Sequence, residues 1–448
     1  MPLFQQKTKP VLPALTLTLT SKGQQSAHRL AFYATALLFC EVFALGAWLW
    51  GHAVLKNPTI PGLAWDLGVF WSASSVALLH GAPAAYDWEL LRAAEAAGLS
   101  TSTFGPFPYP PTFLLLIYPL GKLPFGAAAL VLSAGGVALY LTVLRSMLRL
   151  QAGWFLPTLA FPGVWVTLLA GQNSLFTLAA AAGALLLLRR HPIASGACIA
   201  VLCIKPQLGV LFPLFLLCQR QWTALASAAV FSILSLALSW LALGTETFLA
   251  FTHSLAMFRH VVVENGDSVL YGAPTVFGVL RTAGCSLAVS YLAHALASLL
   301  VVSTCVWLWR SRCRFALRAA TLPIATMLVQ PYLLYYDLAW LALPIAWLTL
   351  DCLRHGSSRS ERAILVASWL VPAQAFFVVF SHTMGQWAPL VLIALLVMTA
   401  QRARQARRSE TAATPDWVAA TPGPIRNGGV RPSADQPPAP ARSSNTGA

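Results

Sequence analysis

Charge is scarce in this sequence. Asp, Glu, Lys and Arg together make up 10% of its 448 residues, and only 14 residues are acidic. An ordinary soluble domain carries about a quarter charged residues, so the deficit excludes water as the solvent for most of the chain. Cysteine is present eight times, without a CxxC pair or a Cys/His ligand spacing. Neither a structural metal site nor a disulfide framework is expected, because Cys40, Cys198, Cys203, Cys218 and Cys305 lie in apolar stretches where Cys acts as a small hydrophobe. There is no P-loop and no GxGxxG, hence no nucleotide-phosphate cradle. The period-2 alternation of an outer-membrane barrel is also missing. About 28 polar residues precede the first apolar block and no small-residue cleavage site follows it convincingly, which argues against a cleaved signal peptide.

What is present is apolar: 57% of the residues, gathered in blocks near the roughly 20 residues that a helix needs to cross a bilayer. In lipid every backbone polar group must be satisfied within the protein. The expected fold is therefore an all-α, polytopic transmembrane bundle. Its domain organisation reads as a cytoplasmic segment over 1–28, a membrane domain over 29–400 and a disordered cytoplasmic tail over 401–448. A net charge of +15 raises the question of nucleic acid. The basic residues form no groove-sized patch; they fall in short clusters between apolar blocks, at 189–190, 310–318, 354–362 and 402–408, as the positive-inside rule produces.

Crossings are expected near 31–50, 125–144, 154–170, 174–188, 193–205, 206–218, 223–243, 286–309, 318–333, 337–350, 363–381 and 387–400, about twelve in all. An even number leaves both termini and the basic clusters on the cytoplasmic side. Long outward loops are expected over 51–108 and from Gly244 to about Thr282, the first with surface helices over 66–79 and 87–97. Phe113–Leu120 is apolar but short, ends in Gly121-Lys122-Leu123-Pro124, and reads as a short or re-entrant helix. Broken elements such as this, and the pair divided at Lys205-Pro206, tend to line cavities rather than lipid.

Ionisable and polar groups near a bilayer are functional suspects. Asp66 lies between Trp65 and Trp71 just after the first crossing. It reads either as a partly desolvated general base or as an N-cap. Tyr109, fixed between Pro108 and Pro110, is either a substrate contact or an interface anchor. Gln172 and Asn173 offer amides suited to sugar hydroxyls, or else cap and join helices. Lys205, flanked on both sides by apolar residues, favours an anion such as a lipid phosphate over simple snorkelling. Tyr336 and Asp337 stand at an outer interface with two more tyrosines, and Arg259 in the second loop reads either as a substrate contact or as a solvated loop charge.

In order, these pieces resemble glycosyltransferase family 87, polytopic transferases of the GT-C superfamily. The resemblance covers residues 31–400 and rests on Asp66-Leu67-Gly68-Val69-Phe70-Trp71, Leu79-His80-Gly81-Ala82-Pro83, Tyr109-Pro110-Pro111 and Leu120-Gly121-Lys122-Leu123-Pro124. Further along, Gly171-Gln172-Asn173, Ser195-Gly196, Ile204-Lys205-Pro206 and Tyr336-Asp337 carry it. The resemblance implies a polyprenyl-phosphate sugar donor of the mannosyltransferase kind, a lipid or glycan acceptor, and Asp66 as catalytic base. It further implies an active site on the outer face of a bacterial inner membrane. No cofactor is implied, and the partners are membrane lipids and lipid-linked sugar rather than nucleic acid. Phe70 and Trp71 depart from the family's pattern, in which tyrosines commonly follow the acid. The competing functional reading is a lipid-linked-sugar flippase or other transporter, for which inverted repeats are expected and none is found.

Overall fold

The computed structural model describes residues 21–56, 62–99, 104–148, 155–382 and 385–413. Among these the secondary structure is entirely helical. Helices α1 (Ser21–Leu49), α2 (Trp65–His80), α3 (Trp88–Leu99), α4 (Pro111–Ile117) and α5 (Phe125–Leu148) open the chain. Next come α6 (Phe155–Leu159), α7 (Pro162–Ala170), α8 (Ser174–Leu187), α9 (Pro192–Val201), α10 (Pro206–Gly209) and α11 (Phe212–Cys218). The middle of the fold holds α12 (Trp222–Leu243), α13 (Thr245–Phe258), α14 (Asp267–Tyr271), α15 (Val276–Thr282) and α16 (Leu287–Arg310). It closes with α17 (Phe315–Leu328), α18 (Ala342–His355), α19 (Arg359–Ser381) and α20 (Ala388–Ala413).

Among the described residues, six helices are long and apolar enough to cross a membrane: Phe32–Val54, Phe125–Leu148, Trp222–Leu243, Leu287–Arg310, Tyr335–His355 and Arg359–Val379. Their outward faces expose large apolar side chains, Leu130, Ile233, Leu241 and Leu300 among them. A surface of this kind is matched to hydrocarbon rather than water. Five more apolar helices are shorter: Phe155–Ala170, Ser174–Leu187, Pro192–Ile204, Pro206–Cys218 and Phe315–Leu328. Proline explains much of the breakage. Pro111, Pro162, Pro192 and Pro206 each stand in the first turn of a helix, where the missing N–H has no intrahelical partner in any case.

Several expectations are corrected. The stretch over 51–108 does contain two helices near the expected positions, but α2 is not amphipathic with one wet face. Leu67, Gly68, Val69, Phe70, Ser72, Ala73, Ser74, Val76 and Ala77 are buried, because α3, α4 and the turns beside them pack around it. The stretch from Gly244 to Thr282 is largely helical, as α13, α14 and α15. Phe113–Leu120, in contrast, is short as expected: it falls in the seven-residue α4 and the start of a 3-10 helix at Leu120–Lys122. At about 1.5 Å per residue, α4 is far too short to cross. Helix α20 runs on through the first residues of the expected tail to Ala413. Residues 1–20 of the N-terminal segment and 414–448 of the tail lie outside the described residues.

The bundle has two distinct ends. Helix α8 starts beside Gln172 and finishes next to Arg189, whose guanidinium lies 5.1 Å from the centre of the Phe315 ring. Helix α17 begins after Arg314 and ends next to Gln330; the α10–α11 pair runs from Lys205 to Arg220, and the Tyr335–His355 span from Asp337 to Asp351. One end thus carries the suspected site, and the other carries Arg189, Arg220, Arg314 and Arg354. Two apolar clusters meet near the site end. The larger contains Leu178, Trp309 and Trp340; the smaller contains Leu67, Phe70, Phe107, Tyr109 and Phe113.

Candidate active site

One tight turn assembles the site. Gly171 joins α7 to α8 at φ +71°, a conformation that favours glycine. A Cβ there would lie 2.6 Å from the Cβ of Ala64 and 2.8 Å from that of Leu67. Ala64 is itself left-handed, at φ +58°, and donates its N–H to the Leu169 carbonyl at 2.8 Å. A non-glycine residue in that region stores about 1–3 kcal/mol, here just before Asp66. The close approach presses Gln172 against the start of α2. Ala64, not Asp66, is the N-cap, and it makes no side-chain cap. The Asp66 carboxylate instead accepts a hydrogen bond from Gln172 Nε2 at 3.0 Å, so its side chain serves the site.

Gln172 is the hub. Its Oε1 accepts from the Tyr109 hydroxyl at 3.1 Å and from the Asn173 N–H at 3.1 Å, with Lys205 Nζ at 3.5 Å. Both ends of the amide are matched: N–H groups face a carboxylate, and the oxygen faces donors. Lys205 sits at the break between the 3-10 helix Leu202–Ile204 and α10. It is buried, and its ammonium lies 2.8 Å from Asp337 Oδ1 and 5.0 Å from the centre of the Tyr336 ring. Ser174 Oγ donates to the same Asp337 oxygen at 2.6 Å. Within the protein, the anion beside Lys205 is the Asp337 carboxylate. Removing either partner of such a pair would strand a buried charge.

These groups line a cavity of about 980 Å³. Asp66, Tyr109, Gln172, Lys205, Tyr336 and Asp337 lie on its polar wall, while Phe251, Leu255, Phe258, Val262 and Val263 provide an apolar one. Arg259 lines it too, with its side chain 73% exposed and paired to Glu264 at 3.2 Å. Asn173 does not line the cavity; it is buried, and neither Oδ1 nor Nδ2 has a hydrogen-bond partner. Burial pushes the Asp66 carboxyl from 3.8 to about 6, and Asp337 pushes the same way; the Gln172 amide and Lys205 oppose them. Among the described residues no group of three or more His, Cys, Asp or Glu is arranged to hold a metal ion.

Sequence reasoning missed several contributors. Ser174 holds Asp337; Tyr332, one of the tyrosines read beside Tyr336 and Asp337, lines the cavity together with Gln330. Glu95 gave no local sign. It is buried in α3 and accepts the N–H of Gly105, a cavity residue, at 2.9 Å. Burial raises its carboxyl to about 7. The apolar wall from α13 was read as aqueous loop.

Residues 107–331 match the family model of glycosyltransferase family 87. The chain belongs to this family. No curated protein and no solved structure matches it. The matched stretch carries Tyr109, Gln172, Asn173, Lys205 and Arg259, while Asp66, Tyr336 and Asp337 lie outside it. In a family 87 membrane glycosyltransferase, a cavity must admit a sugar donor and an acceptor. The polar wall here offers a carboxylate whose carboxyl burial raises to about 6, an amide and several tyrosines, groups suited to sugar hydroxyls.

Proposed function

We propose that the protein transfers a hexosyl group, in the manner of a mannosyltransferase, from a polyprenyl-phosphate donor to a lipid or glycan acceptor. In this reading Asp66 takes the proton of the acceptor hydroxyl as that oxygen bonds to the anomeric carbon. The bond from that carbon to the phosphate oxygen breaks, and the lipid phosphate leaves with the electron pair. A single displacement inverts the anomeric centre. Lys205 has N–H capacity beyond its Asp337 contact with which to meet the leaving phosphate, and Arg259 meets it at the mouth. Tyr109, Gln172, Tyr336 and Asp337 orient the sugar, and Asn173 supports the turn behind Gln172.

The observation that carries this reading is the Asp66 carboxylate in the cavity wall, fixed by Gln172 and with its carboxyl raised to about 6. A base poised near operating pH is the most effective. A donor with a prenyl tail suits a cavity with one polar and one apolar wall. The arginine clusters gather at the opposite end of the bundle, and positive residues favour the cytoplasmic side. That supports a reaction on the outer face of the plasma (bacterial inner) membrane, where a lipid carrier rather than a nucleotide would bring the sugar.

The test uses protein in lipid with radiolabelled polyprenyl-phosphate hexoses and a competent acceptor mixture. Asp66→Asn keeps an acceptor oxygen for Gln172 but removes the base, and should lower transfer by about 10²–10⁴-fold. Near-normal turnover would dismiss Asp66 as the base. No consumption of any donor, together with equal passage of labelled lipid across the bilayer by both proteins, would favour a transporter.

A further inference from the structure

At the end of the bundle away from the cavity, α11, α16 and α17 border a second, open concavity of about 480 Å³. Arg220, Arg310, Arg312, Arg314 and Arg318 line it, without a carboxylate among the lining residues. Neighbouring charges can be balanced one against another. Asp351 pairs with Arg314 and with Arg402, each at 2.7 Å, and Glu361 pairs with Arg402 at 2.7 Å. Two carboxylates thus neutralise Arg314 and Arg402. Arg220, Arg310, Arg312 and Arg318 have no acidic partner among the described residues. The Nε of Arg318 is buried and makes no hydrogen bond, a state that is unfavourable unless something accepts from it.

Arg220 adds an independent observation. It ends α11 at φ +55°, with its N–H donated to Leu217 O and the next N–H to Leu216 O. Helices that close in this way usually place glycine at the left-handed position, and an arginine there is strained. Backbone strain of this kind clusters at ligand sites. Next to the concavity, Leu217 and Trp222 are 44% and 60% exposed, so it opens beside lipid-facing surface. Basic pockets between transmembrane helices hold anionic headgroups, with each Lys or Arg contributing about 1 kcal/mol.

We infer that this concavity binds the phosphate group of an anionic membrane lipid, with Arg220 and Arg318 as its principal donors. The site is separate from the sugar-transfer cavity and does not depend on the function proposed for it. The test titrates the full-length protein, in neutral detergent, with fluorescent phosphatidylglycerol, phosphatidylcholine or inorganic phosphate. Phosphatidylglycerol should bind and raise the melting temperature, and phosphatidylcholine should do neither. Arg220→Gly and Arg318→Gln should each weaken phosphatidylglycerol binding about fivefold. Arg220→Gly relieves the left-handed strain, so its unliganded melting temperature should be no lower than that of the wild type, and it decides the matter if Arg318→Gln fails to fold. Arg354→Gln removes an exposed charge from the same end but outside the concavity and should change binding less than twofold. Unchanged affinity in Arg220→Gly, or an equal loss in Arg354→Gln, would overturn the site. Inorganic phosphate binding as tightly as the lipid would overturn the lipid and assign a soluble phosphate instead.

Discussion

Asp66 shows how one carboxylate couples the protein's stability to its chemistry. An unfolded Asp ionises near 3.8, whereas burial holds this one protonated to about 6. Between those values the folded state binds more protons than the unfolded state, so the contribution of this group to stability is greatest below about pH 4 and declines as pH rises through 6. The base, in contrast, must be ionised to act, so kcat/KM should fall on an acid limb centred near pH 6. Gln172 Nε2 stabilises the ionised form, and Gln172→Leu should move the limb to higher pH. A pH–rate profile reads this directly: activity at pH 6 should drop about threefold or more, and the loss should shrink at alkaline pH. Asp66→Asn should melt no lower than wild type at pH 7, which separates loss of the base from loss of the fold.

Helix packing in this bundle depends on close approach. Helices α9 and α12 meet at Gly196, where an added Cβ would lie 2.5 Å from the backbone N of Ala228 and from the Ser227 side chain. Ser195 beside it donates to the Ala184 carbonyl of α8 at 2.7 Å. Small residues let transmembrane helices touch along their backbones. Gly196→Ala should therefore destabilise the protein by about 1–3 kcal/mol, measured as a fall in melting temperature in detergent. Gly126→Ala is the control, because nothing lies within 4 Å of its added methyl group. Lys205 hangs from the 3-10 helix that continues α9. Displacing α9 should thus also disturb the Lys205–Asp337 pair, and the activity of Gly196→Ala should fall with its stability. The Ser195-Gly196 pair was visible in the sequence, but its neighbour Ala228 was not, since the contact joins separate helices.

At the scale of the whole molecule, the separation of the basic clusters around 189–190, 310–318, 354–362 and 402 from the cavity sets an orientation that can be measured. In a cysteine-free background, Thr252→Cys lies on the cavity and Ser360→Cys lies near the basic end, both at exposed positions. With the proposed topology, a membrane-impermeant maleimide added to intact spheroplasts should label Thr252→Cys. It should label Ser360→Cys only after the membrane is opened. The reverse pattern would put the cavity on the cytoplasmic side and remove the reason for a lipid-linked donor. The basic clusters that set this expectation were legible one by one in the sequence, and folding brings them together at one end.

Composition alone determined the solvent and the class of fold: so few charges and such long apolar blocks leave a membrane bundle of helices as the arrangement that satisfies the backbone. The breaks at Pro111, Pro162 and Pro206 were local as well, since proline acts on its own turn. Asp66, Gln172, Lys205 and Asp337 could each be suspected as polar groups in apolar surroundings. Only the tertiary structure decided that they form one chain of hydrogen bonds, because contacts across 106 and 132 residues leave no periodic trace in the sequence. It also decided that Lys205 answers Asp337, that Asp66 caps nothing, and that α13 forms a wall rather than a loop. In each case the outcome turns on which surfaces pack together, and hydropathy along the chain carries no information about the partner.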